Sequence, residues 1–237
     1  MKLEDIKITI GENAHQKAAI ERNEKTIDYE TSKNLSYTDI ATIVRGLNVI
    51  SEFFDVNAVV TASGAGICAV ALGKSLEDAM LKVMDSNPVD FMNAIVLVST
   101  EVDSEIAKML KSSNKIAAPK FTKNAIEILE RHDVCYVTIN TPLKDYKNYL
   151  SNDIKVTPLG TLTQEPNLSE LTKDSFKIMS KDAILASDMP VTIHDINVAA
   201  QGRIGLVILP SASADVITMV DKYNMALITT GITNILY

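Results

Sequence analysis

From Ser36 to Ile139 the chain alternates short apolar runs with amphipathic stretches of about ten residues, and this alternation restricts the fold more than any other feature. Ser36-Tyr-Thr-Asp39 has the spacing of a capping box. After it, Ile40, Ile43, Val44, Leu47, Ile50 and Phe54 recur with a helical period. Ala58–Ala62 then reads as a buried strand. Ser75-Leu-Glu-Asp78 opens a second helix that turns Ala79, Val83 and Met84 inward. Ala94–Val98 is apolar on both faces, as a strand covered on both sides must be. The spacing next predicts a helix from Ser104 to Lys111 capped by Asp103, a strand over Lys115–Ala118 ending at Pro119, a helix over Thr122–Arg131 and a strand over Val134–Ile139. Strands and helices in this order predict an α/β sheet with helices on both faces. Residues 141–180 are more polar and carry Pro142, Pro158, Gly160 and Pro166, so connections and one or two short elements are expected there. The pattern returns with a strand over Leu206–Pro210, a helix capped by Ser213 and ending at Lys222, and a last strand over Met225–Thr229.

The 237 residues suffice for one large domain or two small ones. Hydrophobic residues make up 46% and charged residues 22%, a soluble globular balance. No apolar run approaches the ~20 residues that span a bilayer. The first residues lack a basic stretch followed by an apolar one, so neither a secretory signal nor a membrane partner is expected. The net charge is −7 and no basic stripe is interleaved with aromatics, which argues against nucleic acid as a partner. Cys68 and Cys135 lie inside apolar runs and are expected to be buried thiols in a reducing cytoplasm. His15, His132 and His194 are scattered, with no H-x-x-H, H-E-x-x-H or C-x-x-C spacing, so no metal site is expected. His132 ends a helix and suits its negative dipole end. His194-Asp195 reads as a polar pair or as ordinary surface polarity. No nucleophile–histidine–acid set can be assembled from the spacing.

Two loops are candidate binding elements. Ser63-Gly64-Ala65-Gly66 follows a strand, as a nucleotide loop does. It is neither G-x-G-x-x-G nor G-x-x-x-x-G-K-[ST]. It fits either a backbone nest for an anion or a tight turn that needs small residues. Pro210-Ser-Ala-Ser213 lies between a strand and a helix. It fits either an anion site at a helix start or simple capping by Ser213.

Several blocks, in order, resemble the AICAR formyltransferase domain of the bifunctional purine-biosynthesis family. Gly11-Glu-Asn-Ala-His-Gln16 resembles its G-x-N-x-H-Q, Leu35-Ser-Tyr37 its L-S-Y, and Cys68-Ala-Val-Ala-Leu-Gly73 its C-G-V-A-x-G. Asn87-Pro88-Val89 resembles D-P-V, Glu101-Val-Asp103 with Ala107 resembles x-V-D-x-x-x-A, and Ala118-Pro119 resembles A-P. Ala186-Ser-Asp188 is similar to the start of S-D-A-F-F-P-F, Pro210–Asp215 to a P-x-G-S element, and Ala226–Gly231 to the final strand. The resemblance implies a three-layer α/β/α fold with a mixed sheet, cytidine-deaminase-like, with a first lobe over 1–165 and a shortened second lobe over 166–237 packed on it. It implies formyl transfer from formyl-tetrahydrofolate to the amine of AICAR in active members, at sites formed across a homodimer. A tetrahydrofolate derivative is therefore the cofactor to test. Ser63, Gly64, Ala65, Gly66, Asn87, Pro88, Ser211 and Ser213 are the ligand-binding candidates, with no catalytic or metal residue assigned.

The departures from the family pattern are systematic. A Lys-His pair follows the strand matching Ala58–Ala62 in the family, for proton transfer and positioning; here Ser63-Gly64 stands there. Thr9-Ile10 replaces an Arg-Tyr, Pro190-Val-Thr-Ile193 an aromatic wall, and Thr233 an arginine. A glycine-rich block expected between about Lys181 and Ala186 is missing. The expectation is a degenerate member lacking ordinary formyl transfer, which binds a nucleotide or folate or associates with a purine enzyme. Two alternatives stay open: an active enzyme acting on AICAR or an analogue, with its missing groups supplied by a partner chain, and a dimeric scaffold without ligand.

Overall fold

The capping box opens the first long helix, α1 (Tyr37–Ile50). The Ser36 hydroxyl accepts the Asp39 N–H at 3.1 Å, and the Asp39 carboxylate accepts the Ser36 N–H at 2.9 Å. The other Asp39 oxygen meets Lys115 Nζ at 3.0 Å, so one side chain both starts the helix and ties it to the sheet. The structure, a computed structural model, describes residues 8, 10–13, 15–64, 66–86, 88–111, 114–166, 184–187, 191–201 and 204–231. It divides into two compact units, Met1–Leu168 and Ser169–Tyr237.

Six strands form the sheet of the first unit: β1 (Tyr29–Thr31), β2 (Asn57–Ser63), β3 (Gly66–Gly73), β4 (Ile95–Val98), β5 (Lys115–Ala118) and β6 (Cys135–Ile139). Their order is β1-β6-β5-β4-β2-β3. The β4–β5 and β5–β6 pairs are parallel, while β1–β6, β2–β4 and β2–β3 are antiparallel. The parallel pairs are joined through α4 (Ser104–Met109) and α5 (Lys123–Arg131). Right-handed crossovers place both helices on one face. There Val59, Val96, Val98, Ile116 and Ala118 meet Ile106, Ala125, Leu129 and the inner side of α2 (Leu76–Ser86). Side chains alternate along a strand, so Leu97 points the other way, against Gly46 of α1. Helices thus cover both faces, as the alternation predicted.

Several expectations need correction. Helix α4 ends at Met109, not Lys111. The sequence reading passed over β1 and β3. The short α3 (Pro88–Phe91) is a further addition, whereas the short elements expected over 141–180 are a 3₁₀ segment (Leu143–Tyr149) and an antiparallel hairpin of β7 (Asp153–Thr157) and β8 (Gly160–Gln164). Cys135 is buried as expected, but Cys68 is only half-buried. The reason is that β3 is an edge strand, with β2 on one side alone.

In the second unit, β9 (Ile184–Ala186), β10 (Leu206–Leu209) and β11 (Ala226–Thr229) form a parallel sheet in the order β11-β10-β9. Helix α6 (Ile193–Gln201), which the sequence reading did not assign, and α7 (Ala214–Lys222) bring Ile196, Ala199, Val216 and Val220 against Val207 and Leu209. Asp195 closes the start of α6, accepting both the hydroxyl and the N–H of Thr192 at 2.7 and 2.8 Å, and these bonds, more than the charge of the adjacent His194, hold its pKa below the usual carboxylate range. Among the described residues no helix is long and apolar enough to cross a membrane.

Candidate functional site

The small-residue loop is a hairpin turn, not a strand-to-helix loop. Ser63 ends β2, Gly66 begins β3, and the two are paired across the ladder. A strand follows rather than a helix, so an anion at this loop would meet the turn without a helix N-terminus behind it. A β-bulge between Thr61 and Ala62 lets Ala62 pair with Ile67 and Thr61 with Ala69, leaving Cys68 as the extra residue. Gly66 has φ +150, where a glycine meets no steric penalty, and nothing lies within 4 Å of where its Cβ would stand. Gly64 does not have a positive φ. A Cβ there would touch Thr38 Cγ2 at 3.5 Å, an ordinary contact. The hairpin tip is therefore held by α1. Thr38, in the first turn of α1, backs onto Gly64, and Arg45, two turns on, donates from Nη1 to the Gly64 carbonyl at 2.7 Å.

Beside the same helical turn lies an open depression of about 290 Å³, with Gly11, Glu12, Gln16, Lys17 and Tyr37 among its walls. Its outer wall is a short closed loop. Ile10 and Lys17 form an antiparallel bridge. The Gly11 N–H donates to the Gln16 carbonyl at 2.9 Å, and the Gln16 Oε1 accepts both the Asn13 N–H at 3.0 Å and the Asn13 Nδ2 at 2.9 Å. A Cβ at Gly11 would stand 3.1 Å from Gln16 Cβ, which accounts for the glycine. Gly11–Gln16 and Tyr37 carry part of the family resemblance but are not among the ligand-binding candidates that the sequence offers. The signal was present in the spacing, but only the fold shows that the two blocks share one concavity.

Within the first unit, neither Ser63, Gly64 nor Pro88 is among the described residues that line this depression. Pro88 is exposed at the first position of α3, a place that suits proline because its missing N–H would be unpaired anyway. Ser213 caps α7, its hydroxyl accepting the Val216 N–H at 3.4 Å, and Ser211 is exposed before it. This is the capping alternative for that loop. Ala65 and Asn87 lie outside the described residues, as do Thr9, Pro190, Thr233 and the stretch from Lys181 to Ala183. Among the described residues no group of three or more His, Cys, Asp or Glu could hold a metal ion. On the α1 side of the sheet, burial pushes the Tyr146 hydroxyl pKa well above its usual range; that hydroxyl donates to Asn48 Oδ1 at 2.9 Å. Burial also raises the pKa of Tyr29, against a smaller opposing pull from the Arg22 guanidinium. Neither phenol offers a proton near neutral pH.

Comparison with known proteins places both elements in one lineage. The AICARFT/IMPCHase bienzyme family model matches residues 2–202. The bifunctional purine biosynthesis protein PurH of Lysinibacillus sphaericus is 29% identical over 180 residues, covering 72% of this chain and 35% of that protein. PurH of Fusobacterium nucleatum is 36% identical over 129 residues, covering 51% of this chain and 25% of that protein. PurH of Acetivibrio thermocellus is 29% identical over 198 residues, covering 76% and 36%. The chain thus spans about a third or less of the length of these relatives. The match runs through the Gly11 loop, α1, the β2–β3 hairpin and on into α6, and the chain belongs to the AICARFT/IMPCHase bienzyme family.

Proposed function

We propose that this chain serves purine biosynthesis as a binding member of its family, taking up a purine ribonucleotide or a tetrahydrofolate derivative without ordinary formyl transfer. The observation that carries the reading is the tip of the β2–β3 hairpin. The two positions that resemble the family's Lys-His pair bear a hydroxymethyl group and a hydrogen, at the end of β2 and in the turn. General acid–base catalysis needs a group whose pKa lies near the working pH. A serine hydroxyl does not meet that requirement, and glycine has no side chain. Losing such a group costs roughly 10²–10⁴-fold in rate.

The finer fold assignment, three-layer and cytidine-deaminase-like, belongs to this proposal. The five strands β3-β2-β4-β5-β6, with an antiparallel hairpin at one edge and helices on both faces, support it. A homodimer, association with a purine enzyme and a cytoplasmic setting follow from the family resemblance and are proposed on that ground.

The test pairs an activity assay with ligand-induced stabilisation. A ligand at a hundred times its Kd should add about 2.7 kcal/mol, or roughly 5–11 °C in melting temperature at the ~2–4 °C per kcal/mol of a domain this size. Expected is such a shift with AICAR or 5-formyl-tetrahydrofolate, and no formyl transfer. Turnover within about tenfold of a complete family enzyme would overturn the proposal in favour of an active enzyme.

A further inference from the structure

We propose that Arg45 is the anion-reading residue of this site, binding an oxyanion of the ligand at the tip of the β2–β3 hairpin. The inference rests on the binding reading above and adds the group that recognises the ligand.

Arg45 is half-buried on α1. Its hydrogen bond is to a neutral acceptor, the Gly64 carbonyl. Among the described residues no carboxylate lies within ion-pair distance of it, although the chain carries a net charge of −7. The half-buried lysines behave differently. Lys33 meets Asp133, Lys115 meets Asp39 and Lys147 meets Glu52. A partly desolvated cation without a counter-charge is unfavourable, and an incoming anion relieves that cost.

The geometry suits recognition. The guanidinium is a rigid fork of five N–H donors. With Nη1 tied to a backbone carbonyl, the fork is fixed in orientation and keeps donors for a second acceptor. The space around the tip is open, since nothing lies within 4 Å of a Cβ built at Gly66. The first turn of α1, which backs onto Gly64 through Thr38, reaches the depression through Tyr37, where Lys17 supplies a second positive charge. A ligand seated in the depression and extending an oxyanion past this turn would meet Arg45.

Two ligand classes carry such an oxyanion, the 5′-phosphate of a purine nucleotide and the glutamate carboxylates of a folate. Binding of AICAR, its dephosphorylated riboside and 5-formyl-tetrahydrofolate is measured by calorimetry for the wild type, Arg45→Ala and Arg45→Lys. If Arg45 reads the phosphate, Arg45→Ala weakens AICAR about 10- to 100-fold, the range for a hydrogen bond to a charged group. It leaves the riboside unaffected, so the wild-type preference for the phosphorylated form collapses. If Arg45 reads the carboxylate, the same loss falls on the folate alone. Arg45→Lys keeps the charge, loses the fork and retains part of the affinity. Equal loss for nucleotide and riboside, with no loss for folate, would mean that Arg45 merely shapes the hairpin, and overturns the proposal. Unchanged affinity in Arg45→Ala overturns it while leaving the binding reading intact. No binding of any of the three by the wild type overturns both.

Discussion

Replacing Gly73 by alanine should destabilise the first unit through a clash with backbone rather than with a movable side chain. Gly73 ends β3, and the chain turns at once into α2. A Cβ at this position would stand 2.4 Å from both the Ser75 carbonyl oxygen and the Ala79 nitrogen, and 3.0 Å from Ala79 Cα. Those first two atoms are the acceptor and donor of a bond at the start of α2, Ala79 N–H to Ser75 O at 3.1 Å. Relieving the contact means moving the start of the helix by about an ångström. Overpacking of this kind typically costs ~1–3 kcal/mol, and a weakened buried backbone bond adds to it. Against this, alanine lowers the entropy of the unfolded chain, a gain of ~0.4–1 kcal/mol. The net is about 2 kcal/mol, or a fall of roughly 4–8 °C in melting temperature for a unit of this size. The control is Gly64→Ala, whose Cβ meets a methyl group at 3.5 Å; it should stay within ~0.5 kcal/mol of the wild type. Thermal and urea unfolding of the three proteins decide the matter. A Gly73→Ala protein melting with the wild type would show that the strand-to-helix junction yields freely, and the packing argument would fail.

Installing the family pair as Ser63→Lys with Gly64→His should leave the fold intact, because Gly64 has ordinary φ and room for a side chain. Formyl transfer should nevertheless stay absent, since positioning and electrostatic groups carry much of a barrier reduction; recovery to near-family rates would refute this. Asp78 offers a pH test. Its carboxylate accepts the Lys74 N–H at 2.9 Å and meets Lys82 Nζ at 2.9 Å, and these, the backbone bond first, hold its pKa below the usual carboxylate range. A lowered folded pKa gives stability that is present above the unfolded value near ~3.9 and is lost as pH falls through the folded one. Asp78→Asn should therefore lower the urea midpoint at pH ~6, with a gap that closes below pH ~4. A gap unchanged down to pH ~2.5 would contradict the assignment.

The elements legible in the sequence are those specified by local chemistry. Capping residues fix helix starts through bonds two or three residues away, so Ser36, Asp103 and Ser213 placed the starts of α1, α4 and α7, while Thr122, read as the first residue of a helix, proves to be the cap of α5. Two-sided apolar runs marked β4, β5 and β10, because a strand covered on both faces needs no alternation. The family resemblance, too, is a property of residue order and was visible without coordinates. What the sequence alone left open depends on pairing between distant segments. Gly66–Gly73 is an apolar run between two glycines, and its register with Asn57–Ser63 is what makes it a strand. Tyr29–Thr31 is a strand only because β6 lies beside it. The candidate site followed the same division. Ser63 and Gly64 stood out as departures from a pattern. That Arg45 reaches the Gly64 carbonyl, and that Gly11, Gln16 and Tyr37 line one depression, was decided by tertiary structure, because a helix periodicity says which side chains share a face and nothing about what that face will meet.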